Sequence, residues 1–409
     1  MSDCNQPGLL PLPAAQSKML QSVGAVTGTQ CVRLDAALDR ILAVEITSPL
    51  NVPPHDNSAM DGYALASDQA RDSGVLRIVG EALAGHPYAG ACGAGECVRI
   101  MTGAPIPDGL DAVVMQENTQ RDGNRVEIQK WPRIGNSIRR RGEDLALGDC
   151  VLAPGTRLGP VQLGLLASLG VAEVSVLRRL RIAVLATGDE LARPGQELPP
   201  GGIYESNSIV ISAMLRRLGY EVRDFGIVAD DMTALRAVFA QADTWADAVV
   251  SSGGVSVGCA DFTRDVLTEM GDVGFWKLAI KPGKPFAFGH LPNSVFFGLP
   301  GNPVSATVTF HQLAVPVLRA MQGEAAAVAL QLPAVADEPL RKRPGRTDFQ
   351  RARVVRGEDG RLHASSTGAQ GSGILSSLHR ANAYLVLERE RGDVAKGEPV
   401  NVQLLDDCL

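Results

Sequence analysis

Ser251-Ser252-Gly253-Gly254-Val255-Ser256-Val257-Gly258, with Asp261 just beyond it, is the stretch of this 409-residue chain best equipped for chemistry. Ala246 to Val250 ahead of it reads as a short buried strand, and Phe262 to Met270 after it reads as a helix closed by Gly271. Small residues between a strand and a helix bring backbone N–H groups and a helix N-terminus to one point, which suits an anion. An acid at Asp261 could hold a metal against that anion. Asp is also a favoured helix cap, and as a cap Asp261 would do nothing more.

The same design recurs along the chain around this turn. Arg181 to Ala186 is a hydrophobic strand ending in Thr187-Gly188-Asp189-Glu190, and Ser206 to Leu218 is a helix with Ile211, Met214, Leu215 and Leu218 on one stripe and Gly219 as its stop. Val222 to Val228 is the next strand, ending at Asp230-Asp231, and Leu235, Val238, Phe239 and Ala242 form a second helical stripe. Ala248 to Ser251 leads into the Gly-rich turn. The strand Ser294 to Phe297 precedes Gly298-Leu299-Pro300-Gly301-Asn302-Pro303 and a helix through Met321. This alternation predicts a doubly wound α/β domain with a mainly parallel sheet.

Ligands of such sheets bind beyond the carboxyl ends of the strands, where Glu190, Asp230 or Asp231, and Asp261 all fall. Two or three carboxylates beside a phosphate suit Mg²⁺, a hard cation that prefers oxygen. Lys277, Lys281 and Lys284 would face the same anion as point charges, or they are exposed lysines on a connecting loop.

Composition narrows the function classes. A net charge of -6 argues against a general nucleic-acid binder, which needs a basic surface, and 4% aromatic residues leave few stacking platforms. The seven cysteines are scattered without a C-x-x-C pair or the His spacing of a zinc site, as expected for reduced thiols in a cytoplasmic protein. No apolar run has the length of a membrane span, and the Pro-rich segment before Ala14 reads as a loose tail rather than a signal peptide. No G-x-G-x-x-G follows the strand Arg181 to Ala186, which counts against a dinucleotide-dependent oxidoreductase.

Ahead of the α/β region, Leu34, Leu38, Ile41 and Leu42 recur at helical spacing and predict an amphipathic helix from Val32 to Ala43. Gly159-Pro160 opens another, with Val161, Leu165 and Leu169 on one side and Gly170 at its end. Between the two, β-rich runs alternate with turn residues, and Arg121-Asp122-Gly123-Asn124 is a hairpin signal. The chain therefore reads as a β domain inserted into a discontinuous helical one. Three polar stretches of the insert could act: Asp56 to Ala64 with its two acids, the Met101 to Pro107 loop with the Thr102 hydroxyl, and Ile138 to Asp144. In the last, three arginines face two carboxylates, so Arg139 is either spent in mutual pairing or free for an oxyanion. After Gly323 short alternating runs, with Arg346, Arg351 and Ser372 among them, suggest a compact β-barrel or sandwich.

Taken in order, Asp56-Asn57-Ser58-Ala59-Met60-Asp61-Gly62-Tyr63, Met101-Thr102-Gly103-Ala104, Thr187-Gly188-Asp189-Glu190-Leu191, Ser252-Gly253-Gly254-Val255-Ser256, Lys281-Pro282-Gly283-Lys284-Pro285 and Leu299-Pro300-Gly301-Asn302-Pro303 resemble the MoeA family of molybdopterin molybdenumtransferases, which includes the gephyrin E domain. The resemblance implies a tail at 1–14, a helical or linker domain at 15–47 and 148–178, an inserted β domain at 48–147, an α/β domain at 179–327 and a barrel at 328–409. It implies joining of molybdate to adenylylated molybdopterin, with Mg²⁺-assisted cleavage of the adenylate and release of AMP, by a homodimer whose cleft is shared between subunits. It leaves open a contact with the molybdopterin adenylyltransferase.

Carried over by motif, Glu190, Asp230 and Asp261 are the expected metal ligands, with Asp61 and Asp144 as further catalytic acids. Thr102, Arg139, Ser252, Gly253, Gly254, Lys277, Lys281, Pro300, Arg351 and Ser372 are the expected substrate contacts. Of these, Lys277, Lys281, Arg351 and Ser372 would form the molybdate pocket. Cys259 stands where many relatives are expected to carry an acid. An adenylyltransferase would resemble the α/β domain alone, and the extra domains argue against it. A non-catalytic pterin-binding scaffold would be expected to have lost several of these acids.

Overall fold

A sheet of six strands carries the candidate turn, in the order Glu221–Val228, Arg181–Thr187, Ala248–Ser252, Val295–Leu299, Pro285–His290, Asp272–Lys277. The first four run parallel, Pro285–His290 runs against them, and Asp272–Lys277, antiparallel to that strand, returns to the first direction. The structure, a computed structural model, describes residues 8–68, 74–254, 262–325, 329–406 and 408–409. Val255 to Asp261 fall outside them, and with them the expectations placed on Ser256, Cys259 and Asp261.

Both faces of the sheet are covered, which is why its strands are nearly continuous in apolar residues. Ile182 and Val184 join one core with the helix Asn207–Arg217 and the helical run from Pro303 to Met321. Ala183 and Leu185, one residue out of phase, join the other with Met232–Trp245 and Phe262–Met270. In that second core Phe239 meets Phe296 edge-on at 5.8 Å. The run from Pro303 carries a π-helical turn at Phe310–Ala314.

Two expectations for the N-terminal region are corrected. The segment read as a tail to residue 14 contains the start of a helix, Leu12–Gln21, whose Ala15 and Met19 are buried in the sheet's own core. Pro11 and Pro13 suit the start of a helix, where no intrahelical N–H is lost. Leu10 ties in as well, its N–H donating to Lys277 O and its carbonyl accepting from Ala279 N.

The helix expected from Val32 to Ala43 is instead the end of a strand, Thr29–Arg33, followed by a single 3-10 turn, Leu34–Ala36. Asp39 has φ +60, outside helical geometry, and Leu38 is exposed. Ile41 and Leu42 are buried by bridges to Arg157 and Val176, so long-range pairing decided this segment. Thr29–Arg33 pairs with Glu173–Leu177, and Ile46–Thr47 with Cys150–Leu152, joining two stretches that the insertion separates. The helix Pro160–Ser168 turns Leu163 and Leu166 inward rather than Val161, which is 77% exposed.

The inserted sheet runs Ala112–Met115, Gly62–Leu65, Glu96–Ile100, Val75–Ala82, Arg125–Ile128, Thr119–Asp122. Its last two strands form the expected hairpin, with Gly123 supplying φ +59 at the turn. The C-terminal region closes into a five-strand barrel because Thr347–Arg356 pairs with both Leu362–Ser366 and Ala383–Leu387, while Leu332–Ala336 and Pro399–Leu404 complete the ring. Alternation along Thr347–Arg356 sends Ala352 and Val354 into the barrel and Phe349 outward onto the α/β core.

Candidate functional site

At the carboxyl end of Ala248–Ser252 the chain turns through Gly253, at φ +92, where a Cβ would lie 2.4 Å from the Thr187 carbonyl oxygen. Only glycine brings these two strand ends so close. The Thr187 hydroxyl is buried beside this turn and has no hydrogen-bond partner among the described residues. Ser252 is held from below: Asn207 Nδ2 donates to Ser252 Oγ at 2.7 Å and to the Gly301 carbonyl at 2.8 Å. Asn207 thereby ties the turn to Pro300 and Gly301. Its sequence context gave no sign of this, because a polar residue opening a helix is ordinary.

Next along the same rim lie Asp189, Glu190 and Asp230. The Asp230 N–H donates to Asp189 Oδ1 at 3.1 Å, and the Glu190 carboxylate folds back over Gly188. Burial, then the charges of Asp189 and Glu190, push the Asp230 carboxyl above its ordinary range. Repelling carboxylates with all-oxygen donors suit a hard divalent cation. Among the described residues, the set of three ligating side chains with atoms within 4.8 Å of one another lies elsewhere, at His311, Asp406 and Cys408, so the rim acids are more widely spread. Asp189 gives no signal in the sequence that sets it apart from its neighbour Glu190. Asp231 is a helix cap, its carboxylate accepting from Ala234 N.

In the inserted sheet, Asp61 and Thr102 meet. Asp61 Oδ1 accepts from the Thr102 hydroxyl and from its N–H, both at 2.7 Å, and these donors, hydroxyl first, hold the carboxyl below its ordinary range. Gly62 follows because a Cβ there would lie 1.8 Å from the Val114 carbonyl oxygen. Arg139 sits opposite Asn57 where Ile138–Arg139 pairs with Asn57–Ser58, next to this pair of loops. The arginine run does not pair only with itself: Arg140 reaches Asp56 at 2.6 Å, and the Arg141 N–H donates to the same carboxylate. Asp144 lies one loop further, its N–H donating to Val52 O.

The basic residues divide. Lys281 extends the barrel sheet beside Thr347–Asp348, and its Nζ is 3.3 Å from the buried Asp348 carboxylate. It opens onto a cavity of about 610 Å³ bounded by Lys284, Arg341, Arg343, Arg346 and Asp348. Arg351, three residues after Asp348, lies on the opposite face of the strand. It is 1% exposed, donating to Ser377 Oγ, Phe349 O and Gly371 O. The structure thus sets Lys281 and Arg351 on opposite sides of one strand rather than in a single pocket. Arg351 steadies the loop of Ser372, whose carbonyl accepts from Val304 N just beyond Pro300. Lys277 is exposed at the strand end beside Pro285.

Comparison with known proteins covers almost the whole chain. Residues 10–170 match the MoeA N-terminal region (domain I and II), 183–320 a probable molybdopterin binding domain, and 333–405 the MoeA C-terminal region (domain IV). A molybdopterin molybdenumtransferase of Haemophilus influenzae is 46% identical over 403 residues, covering 98% of this chain and 100% of the relative. Molybdopterin molybdenumtransferase 2 of Mycobacterium tuberculosis is 36% identical, covering 91% and 94%. Among solved structures, a molybdopterin biosynthesis MoeA protein of Pyrococcus horikoshii superposes with a TM-score of 0.85 at 28% identity, covering 97% of this chain and 100% of that one.

Proposed function

Because the chain belongs to the MoeA family, we infer that it is a molybdopterin molybdenumtransferase and inserts molybdate into adenylylated molybdopterin, with cleavage of the adenylate and release of AMP. The observation that carries this reading is the gathering of Asp189, Glu190 and Asp230 at the strand ends beside the Gly253 turn. Anion-binding backbone and cation-binding acids there stand side by side, as a phosphoanhydride requires.

Glu190 and Asp230, with Asp189 beside them and Asp261 from outside the described residues, would hold Mg²⁺, and the repulsion raised at Asp230 is the feature such an ion would relieve. Bound Mg²⁺ neutralises charge on the scissile phosphates. The chain's own residues do the rest. The Gly253 N–H is taken by Leu299 O at 3.1 Å, so at this turn the Gly254 amide and the Ser252 hydroxyl would meet phosphate, and Asn207 keeps Ser252 and the Pro300–Gly301 segment in register. The Thr187 hydroxyl, without a partner among the described residues, would be a donor at the same turn. Lys277 and Lys281 present the molybdate dianion, and Arg351 acts by positioning the loop of Ser372.

Asp61, Thr102, Arg139 and Asp144 make up the remaining wall, supplied by the inserted sheet of a second copy of the chain in a homodimer. Asp61, kept ionised by Thr102, would accept hydrogen bonds from the pterin or nucleotide. Five described cysteines are free, which suits work in the cytoplasm, where the adenylyltransferase could hand over its product by direct contact.

Purified protein mixed with adenylyl-molybdopterin, molybdate and Mg²⁺ tests the reading. AMP release accompanied by reconstitution of a molybdenum-free apoenzyme is expected. AMP without reconstitution would make the protein a hydrolase, and the absence of both AMP and reconstitution would overturn the reading altogether.

A further inference from the structure

We propose that His311, Asp406 and Cys408 form a second metal site, for a borderline-soft divalent cation of the zinc class. One ligand atom from each lies within 4.8 Å of the other two. His311 Nε2 is already 3.3 Å from Asp406 Oδ1. Tetrahedral zinc with bonds of about 2.0–2.3 Å sets its ligand atoms about 3.3–3.6 Å apart, so only a small closure is needed. Imidazole, carboxylate and thiolate together favour zinc over magnesium.

The surroundings point the same way. His311 and Cys408 are 4% and 2% exposed, while the Asp406 side chain reaches solvent and gives a cation its way in. The Tyr384 ring packs with its centroid 5.8 Å from that of His311, beside the imidazole whose Nε2 faces Asp406. His311 also sits in the π-helical turn Phe310–Ala314, and π turns concentrate at functional sites. Gln16 Nε2 donates to the Gln312 carbonyl at 2.8 Å, holding that widened turn.

Arg319 takes the other carboxylate oxygen, Asp406 Oδ2, at 3.4 Å, while Oδ1 accepts the Cys408 N–H at 3.1 Å and keeps its second lone pair on the His311 side for the ion. Binding releases the Cys408 proton to solvent and leaves the fourth position to water. The ion would pin the chain end to the helix of the α/β domain.

The test uses the full chain, stripped with a chelator and titrated with Co²⁺, with zinc content measured after reloading and desalting. One metal per chain and a thiolate-to-cobalt absorption band are expected. Cys408→Ser should abolish the band, His311→Gln should weaken binding at least tenfold, and Cys31→Ser, at an exposed thiol, should leave both unchanged. A wild-type chain without the band, or a band that survives Cys408→Ser, overturns the proposal. The wild-type spectrum alone can do so, whatever the variants' folding. A thiolate band from metal at the sheet rim, with Cys259 as its sulfur, would survive Cys408→Ser, so failure here is separable from failure of the transferase reading.

Discussion

Asp61 and Asp230 are the same side chain in opposite predicaments. Asp61 is half-buried, with both Thr102 donors on one of its oxygens, and its carboxyl is held low. Asp230 stands on the exposed rim, where partial desolvation and the charges of Asp189 and Glu190 push its carboxyl up. The first is finished as a fixed negative acceptor. The second is unfinished, and its energy improves when positive charge arrives. The contrast teaches that donors on the carboxylate hold one acid low, while desolvation and like charges raise the other, which separates a positioning group from a ligand.

The largest effect should come from neutralising the unfinished acid. Asp230→Asn is expected to lower AMP release coupled to molybdenum insertion by about a hundredfold or more, since the site loses a charge aimed at its cation. A rate within threefold of the parent would remove Asp230 from the machinery. A smaller loss, about tenfold, is expected for Thr102→Val, which takes away the hydroxyl donor. Asp61 has a lowered carboxyl, so its ionised form persists as pH falls until its folded-state value is reached. Losing Thr102 Oγ1 should therefore move the acid limb of the pH–rate profile upward, and an unmoved limb would separate Asp61 from activity.

The smallest effect is thermal. A raised carboxyl such as Asp230 contributes stability below its unfolded value and loses it as pH rises through the folded one. Mg²⁺ at neutral pH should restore that loss, raising the melting temperature by a few degrees at saturating concentration. The gain should vanish below the ordinary carboxylate range and be absent in Asp230→Asn. An equal gain in the variant would mean the ion binds elsewhere.

Much of the α/β domain was legible because both periodicities there agree with burial. Phe262–Met270 begins and ends where the sequence placed it, and the strand ends carry the acids expected of them. The linker was not legible, since Leu34, Leu38, Ile41 and Leu42 mimic a helical stripe while their fate is set by partners more than a hundred residues away, such as Val176. Pro11 and Pro13 looked like breakers and proved to be a helix start. Asn207 was invisible for a related reason: its two acceptors, on Ser252 and Gly301, come together only in the fold. For Lys281 and Arg351, the family resemblance implied one pocket, and the parity of a strand puts them on opposite sides.

The pairing of Thr29–Arg33 with Glu173–Leu177 carries a consequence for how the chain is made. Closing so long a loop from a disordered chain costs entropy that few contacts return at once. If the inserted sheet, whose strands find their partners among themselves, has already condensed, the two linker strands start out near each other. The insert should thus acquire amide protection early during refolding, with the linker following it, although the linker's first strand leaves the ribosome before any of the insert does.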